Sequence, residues 1–313
     1  MIVALAGGVG GAKLAAGLAQ ELPSAGLTVV VNTGDDFEHL GLHVSPDLDT
    51  VMYTLAGVAN PQTGWGVANE TCTFMEALDR LGGPTWFRLG DRDLATHVER
   101  TRRLRAGESL STVTRSLCER LGVRHTVLPM CDDPVRTLVD TEEGVLEFQH
   151  YFVRERCRPR LRSLEYRGAS EARASPELLR ALELPALDGI ILCPSNPYLS
   201  IAPILAIPGM REALERAKPV LAVSPIVGGQ ALKGPAAKIM QELGVAPSAL
   251  EVSRYYAGLV DAMLIDWKDA PLCGAIEALG MRAIATDIVM RTDADRARLA
   301  GECIALLRKM RAR

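Results

Sequence analysis

The sequence predicts an α/β protein built on a mostly parallel sheet, and three observations carry that expectation. Short apolar or β-branched runs alternate with helix-forming stretches along the chain: Ile2–Ala6, Leu27–Val31, 189–193, Val220–Val223, Ala262–Asp266 and 282–289. The first two runs are separated by a helix-length segment, the spacing of a parallel βαβ unit, whose strands need a crossover rather than a hairpin. Several of the runs end in glycine-rich, acidic or hydroxyl-rich loops, and parallel strands bring such ends to one edge, where α/β sheets bind ligands.

Composition narrows the class. At 313 residues, with 48% hydrophobic and 23% charged residues, the chain has material for one large α/β domain, or one carrying a smaller insertion. A net charge of −3 gives no electrostatic basis for a nucleic-acid or anionic-membrane partner. No apolar run approaches the ~20 residues of a membrane span, and no basic segment precedes the first apolar run as in a signal peptide. The seven cysteines are scattered without a CxxC pair, as expected of reduced, packed thiols in a cytoplasmic protein. None of the five histidines has zinc-site spacing, so they are read as structural or surface residues.

The opening IVALAGGVGGAKL reads as strand, glycine turn and helix. Glycines let the backbone approach a ligand, and a following helix adds the positive end of its dipole, so a phosphate is the expected guest. Two familiar fingerprints fail: a Walker loop needs Gly where Ala12 stands, and a dinucleotide fingerprint starting at Gly8 needs Gly at Lys13. The second strand ends in Asn32-Thr33-Gly34-Asp35-Asp36. Asp35 is open to two readings, a ribose-binding acid or, with Asp36, a ligand for a divalent cation. Ser45-Pro46-Asp47-Leu48-Asp49 is a helix start, with Ser at the cap and Pro in the first turn. Asp47 suits the helix dipole, whereas Asp49 calls for a cation or a ligand hydroxyl as partner.

Residues 66–122 change character, with helical periodicity over 70–81, 92–104 and 110–121. They are expected to form a helical lobe inserted in a core made of 1–65 and 123–313. Between the first two helices lies Trp86-Phe87-Arg88-Leu89-Gly90-Asp91-Arg92-Asp93, whose aromatic and charged groups suit a roof over a large aromatic substrate. One of Asp91 and Asp93 is expected to cap the next helix. Residues 123–130 return to the sheet, and 135–140 with 145–152 alternate as a hairpin within an excursion at 135–167. Segment 151–167 is the most basic, and its arginines are expected to be solvent-exposed. Ser195 and Asn196 sit in a polar turn after one later strand. Ser224, Gly228, Gly229 and Lys233 form a second glycine-rich loop entering a helix at Pro235.

These motifs together resemble the 2-phospho-L-lactate transferase family of coenzyme F420 biosynthesis. GGVGGAKL, VVVNTGDD, SPDLDTVMYTLAG, RLGDRDLATHV, LPMCDDPVRT, PSNPYLSIAPILAIPGMRE and VSPIVGGQALKGPAAK occur in the family's order over nearly the whole chain. The resemblance implies a Rossmann-like three-layer αβα core with a small helical lobe, in a cytoplasmic, Mg²⁺-dependent transferase. Such enzymes move a phospho-carboxylic acid (phospholactate, phosphoenolpyruvate or phosphoglycerate type) from a guanosine diphosphate diester to the ribityl hydroxyl of the deazaflavin Fo, releasing GMP. It further implies that Asp49 and Arg88 contact the deazaflavin and that Gly8, Gly10, Gly11 and Lys13 cradle phosphate. Ser195, Asn196 and the Ser224–Lys233 loop then serve the nucleotide, and Asp35, Asp36 and Asp47 help hold Mg²⁺. A homodimer is expected for an enzyme of this size.

Positioning and charge neutralisation dominate phosphoryl transfer, so no protein nucleophile is expected; Asp49 is read as orienting the attacking hydroxyl or taking its proton. Two rivals remain at this level. One is a non-catalytic regulatory relative that binds a nucleotide-sugar on the same core. The other is an NAD-dependent oxidoreductase, which Lys13 at the third-glycine position disfavours.

Overall fold

A computed structural model describes residues 1–312. Its centre is a seven-stranded, all-parallel sheet. In chain order the strands are β1 (Ile2–Ala6), β2 (Leu27–Val31), β3 (Phe37–His39), β4 (Leu42–Val44), β5 (Thr126–Pro129), β6 (Arg136–Thr141), β7 (Gly144–Glu147), β8 (Leu161–Arg167), β9 (Gly189–Leu192), β10 (Val220–Val223), β11 (Ile226–Val227), β12 (Gln230–Ala231), β13 (Ala262–Asp266) and β14 (Arg282–Thr286). Both faces of the sheet are covered. Val3 and Leu5 belong to one apolar cluster, Ile2, Ala4 and Ala6 to the other. Burial on both faces is why these strands read as unbroken apolar runs rather than alternating ones. The layers make the fold three-layered and Rossmann-like, as the sequence predicts.

From β1 the chain moves outward to β2 and β5, returns at β9, and leaves in the other direction through β10, β13 and β14. The crevice between β1 and β9 is therefore the topological switch point, where this architecture leaves room for a ligand beyond the strand ends. Helix α1 (Gly8–Glu21) follows β1 and packs against α2 (Pro46–Leu55) and the C-terminal helix Asp293–Arg311. The latter starts with a reciprocal Thr292–Asp295 capping box.

Residues 66–122 hold α3 (Thr73–Arg80), α4 (Asp91–Arg105) and α5 (Leu110–Arg120). Leu110, Val113 and Leu117 of α5 bury in the same cluster as β1 and β2, so α5 is part of the sheet's packing layer and leads into β5. The capping between α3 and α4 is reciprocal. Asp91 accepts the amides of Thr73 and Phe74 at 3.1 Å each, at the start of α3. Glu70 accepts those of Arg92 and Asp93, at 2.9 and 2.8 Å, at the start of α4. The acid expected to cap its own helix thus caps the preceding one.

The excursion is an antiparallel sheet in the order β7-β6-β8. Its hairpin turns where expected, but β7 stops at Glu147 and the chain coils into a wide helical turn, His150–Arg154. Phe148 and Tyr151, three residues apart, both bury against Val139 and Leu161, a helical rather than a strand spacing. Strand β8 lies within what reads in sequence only as a basic segment; Arg154, Arg156, Arg158, Arg160, Arg162 and Arg167 are all exposed. Among the described residues no helix is long and apolar enough to cross a membrane.

Candidate functional site

A cleft of about 730 Å³ opens at the switch point. It gathers Gly8, Gly10, Lys13, Asp35, Asp47, Asp49, Arg88, Ser195, Asn196, Ser224 and Lys233, residues drawn from the length of the chain.

The floor is the start of α1. The glycines are not a loop ahead of the helix: α1 begins at Gly8, and they form its first turn. Gly8 takes φ +61° and donates its amide to Asp47 Oδ1 at 2.8 Å. A Cβ on Gly10 would sit 2.2 Å from the Pro194 carbonyl oxygen, and one on Gly11 2.6 Å from Ser195 Oγ. Gly11 does not line the cleft; its bareness lets the turn after β9 lie against α1. Ser195 Oγ in turn accepts the Gly7 amide at 3.0 Å. Asp47 and Ser195 thus take the amides of Gly8 and Gly7, and the amides that follow in the first turn are left, with the positive end of the helix dipole, at the cleft.

The acidic wall comes from the loop after β2 and the start of α2. Asn32, overlooked in the sequence, organises it: its Nδ2 donates to Asp47 Oδ2 at 3.0 Å and to the Leu199 carbonyl at 3.1 Å, while its Oδ1 accepts the Gly34 amide. Burial, then the neighbouring Asp47 carboxylate, holds Asp35 well above the usual carboxylate range, and its Oδ1 is buried without a hydrogen-bond partner. Burial also pushes Asp47 up to about 6, against the opposing pull of its bonds from Asn32 and Gly8. Two buried like charges at one rim either share a proton or take a cation between them.

Asp36 stands apart from these two, although its Oδ1, like that of Asp35, is buried without a hydrogen-bond partner. Its side chain lies outside the cleft, turned toward the β3–β4 hairpin, where Oδ2 meets His43 Nε2 at 3.0 Å and accepts from Ser45 Oγ at 2.8 Å. The same contact takes the Ser45 hydroxyl away from the helix cap expected of it. Gly228 and Gly229 are also outside the cleft. They form the tight β11–β12 turn at φ +56° and +79°, with the Gly228 amide given to Asp269. Ser224 and Lys233 of that loop do reach the cleft, with Pro225 and Leu232 beside them. Ser224 closes its own turn with Ile226, and Lys233 donates to the Thr63 carbonyl at 2.7 Å. Asn196 caps the turn after β9 through Oδ1, leaving a buried Nδ2 free. Lys13 donates to the Met290 carbonyl at 2.8 Å, and burial, then Arg296 and Lys233, lowers its pKa.

The far wall is aromatic. Trp86 and Phe87 line the cleft and pack on Phe37 and His39 of the β3–β4 hairpin, with Phe37–Phe87 centroids 4.8 Å apart. Phe148 and Phe152 also line the cleft and stack at 5.4 Å, with His150 of the same turn 4.5 Å from Trp86, and Arg88 stands exposed beside Cys72. Between the aromatic and acidic walls is a buried group that the sequence did not single out. Asp49 accepts from both terminal nitrogens of Arg100, a residue 1% exposed. Tyr53, Asp93 and His97 surround the pair. His97, read as structural, is in the cleft wall. The GDRDLATHV segment and the two residues after it held the signal, since Asp93, His97 and Arg100 recur at helical spacing on one face.

A doubly covered parallel sheet with one large cleft at its switch point, floored by a helix N-terminus and walled by acids, defines a Rossmann-like ligand-binding protein. The chain belongs to the 2-phospho-L-lactate transferase CofD family, whose pattern matches residues 2–300. It is 45% identical to a phosphoenolpyruvate transferase of Streptomyces griseus, over 99% of each chain. It is 41% identical to a 2-phospho-L-lactate transferase of Methanosarcina mazei, covering 92% of this chain and 94% of that one. A UPF0052-family protein of Bacillus halodurans shares the fold, with a TM-score of 0.61, 17% identity and coverage of 97% and 98%.

Proposed function

We propose that the chain transfers a phospho-carboxylic acid from a guanosine diphosphate diester to the ribityl hydroxyl of Fo, releasing GMP, in coenzyme F420 biosynthesis. The observation that carries the reading is the sharing of one cleft by a helix N-terminus suited to phosphate, a pair of buried acids and an aromatic wall suited to a flat ring. The relatives named above transfer phosphoenolpyruvate or 2-phospho-L-lactate, in keeping with this chemistry.

The orphaned Asp35 Oδ1 and the proton-hungry Asp47 fit a hard cation, and these two, without Asp36, are the residues that would hold Mg²⁺. When bound, the ion neutralises diphosphate charge. The chain's own part is positioning. Amides of the first turn of α1 and Lys13 steady the phosphates, Asn196 Nδ2 offers a donor on the nucleotide side, and Arg88 with Trp86 and Phe87 receives the deazaflavin. Asp49, held by Arg100, gives a fixed negative charge beside the acceptor.

The test is incubation of the purified chain with Fo, Mg²⁺ and each of the three guanylyl donors, read by product mass. One phosphorylated Fo product with GMP release is expected, and none in chelator. A protein that yields no product with any donor overturns the reading. Failure also to change Fo fluorescence would favour the regulatory nucleotide-sugar binder.

A further inference from the structure

Five side chains meet at the seam between the aromatic wall and the acids that face phosphate. Asp49 and Tyr53 come from α2, and Asp93, His97 and Arg100 from α4. Arg100 Nη1 donates to Asp49 Oδ2 at 3.0 Å and its Nη2 to the other oxygen, so the guanidinium spans the whole carboxylate. Arg100 Nη1 also lies 3.3 Å from His97 Nδ1. A guanidinium only donates, so that nitrogen carries the lone pair and the imidazole proton resides on Nε2. Nε2 stands 3.3 Å from Asp93 Oδ1, the oxygen that accepts the Tyr53 hydroxyl at 2.7 Å. Asp93 Oδ2 receives no hydrogen bond from the described residues, and Asp93 lines the cleft. Asp49, Asp93 and His97 have ligand atoms within 4.8 Å of one another. The buried Arg100 already supplies the positive charge there, so the group is built to handle a proton rather than a metal ion.

We propose that Asp93, through Oδ2, is the base for the acceptor hydroxyl, Asp49 being withdrawn from that role by Arg100; the proposal rests on the transferase reading above. The hydroxyl oxygen's electron pair forms the new O–P bond. The bond from phosphorus to the bridging diphosphate oxygen breaks with its pair going to the GMP phosphate, and the hydroxyl proton passes to Asp93. Burial raises the Asp93 pKa, but His97, Tyr53 and Arg100 together bring it below the ordinary carboxylate value, so it is ionised at neutral pH. An ionised Asp suffices in such transfers, where the proton leaves late. The other charged groups lining the cleft are Lys13, Asp35, Asp47, Arg88 and Lys233, and Glu70 holds the Asp93 backbone amide.

The test compares Asp93→Asn and Asp93→Glu with wild type in steady-state assays with Fo, alongside thermal melts. Asp93→Asn should lower kcat by about 10²–10⁴-fold with KM for Fo within about threefold of wild type. Asp93→Glu restores a carboxylate at the same position, so it should keep at least about a hundredth of wild-type kcat and exceed Asp93→Asn, a rescue that restored packing alone does not give. An Asp93→Asn enzyme that melts as wild type and keeps more than about a third of wild-type kcat overturns the proposal. If that variant fails to fold, a folded Asp93→Glu enzyme with less than about a hundredth of wild-type kcat overturns it instead. A wild-type protein that makes no product refutes the transferase reading, a separate outcome.

Discussion

Replacing Arg100 by Met tests the buried pair on which the seam depends. Arg100 is 1% exposed and Asp49 5%, and the guanidinium contacts both carboxylate oxygens. Burial disfavours the charged guanidinium, yet the Asp49 charge and its hydrogen bonds outweigh burial and raise the Arg100 pKa. Removing one partner of such a pair leaves an uncompensated buried charge and costs about 3–5 kcal/mol. With an unfolding entropy of about 2.1 cal/mol/K per residue over 313 residues, the thermal midpoint should fall by about 5–8 °C at pH 7.5.

The sign of the pH dependence follows. An unpaired, buried Asp49 has a folded-state pKa above its unfolded value, so the native state binds more protons than the unfolded one between the two. Stability of the variant then falls as pH rises through that window, and its deficit against wild type shrinks on acidification toward pH ~4. The double variant Asp49→Asn/Arg100→Met should recover much of the loss, because the stranded charge is gone. Urea denaturation at several pH values is the assay. A loss below about 1 kcal/mol at pH 7.5, or one of equal size at pH ~4, refutes the reasoning.

Three further outcomes are expected. Asp47, at about 6 when folded, keeps a proton that the unfolded chain has released, so without divalent ions stability falls by up to about 3 kcal/mol as pH rises from ~4 through 6. Millimolar Mg²⁺ should raise the melting midpoint at pH 7.5, lose that effect below pH ~6, and do nothing for Asp47→Asn; calorimetry showing Mg²⁺ stabilisation independent of pH and of Asp47 contradicts this. Gly10→Ala puts a methyl 2.2 Å from the Pro194 carbonyl oxygen, a backbone atom with little room to yield, so it should cost about 1–3 kcal/mol and weaken guanine-nucleotide binding. A wild-type melt and wild-type nucleotide affinity would remove the close-packing account of this glycine.

The elements legible in advance were those whose cause is local. Ile2–Ala6, Leu27–Val31, Val220–Val223 and Ala262–Asp266 are each long enough in apolar or β-branched residues to specify a strand alone, and all four appear as read. The Ser45-Pro46 start of α2 and the turn of the hairpin expected at 135–140 with 145–152 were equally local. Strand β8 escaped because charge masked its alternation, and 148–152 because a spacing of three outranks period two only when the neighbouring core is known.

Sequence by itself determined the fold class, the family and the loops that reach the strand ends, since parallel strands force those ends to one edge. Tertiary structure alone decided what each polar group at that edge faces. Asp35 and Asp47 converge through Asn32, whereas Asp36, one residue along, turns to His43 and Ser45. Asp49 is claimed by Arg100, fifty-one positions away, and Asp93 is left open beside it. Such choices depend on which side chain from a distant helix fills the space next to a carboxylate, and no local pattern encodes a partner across that distance.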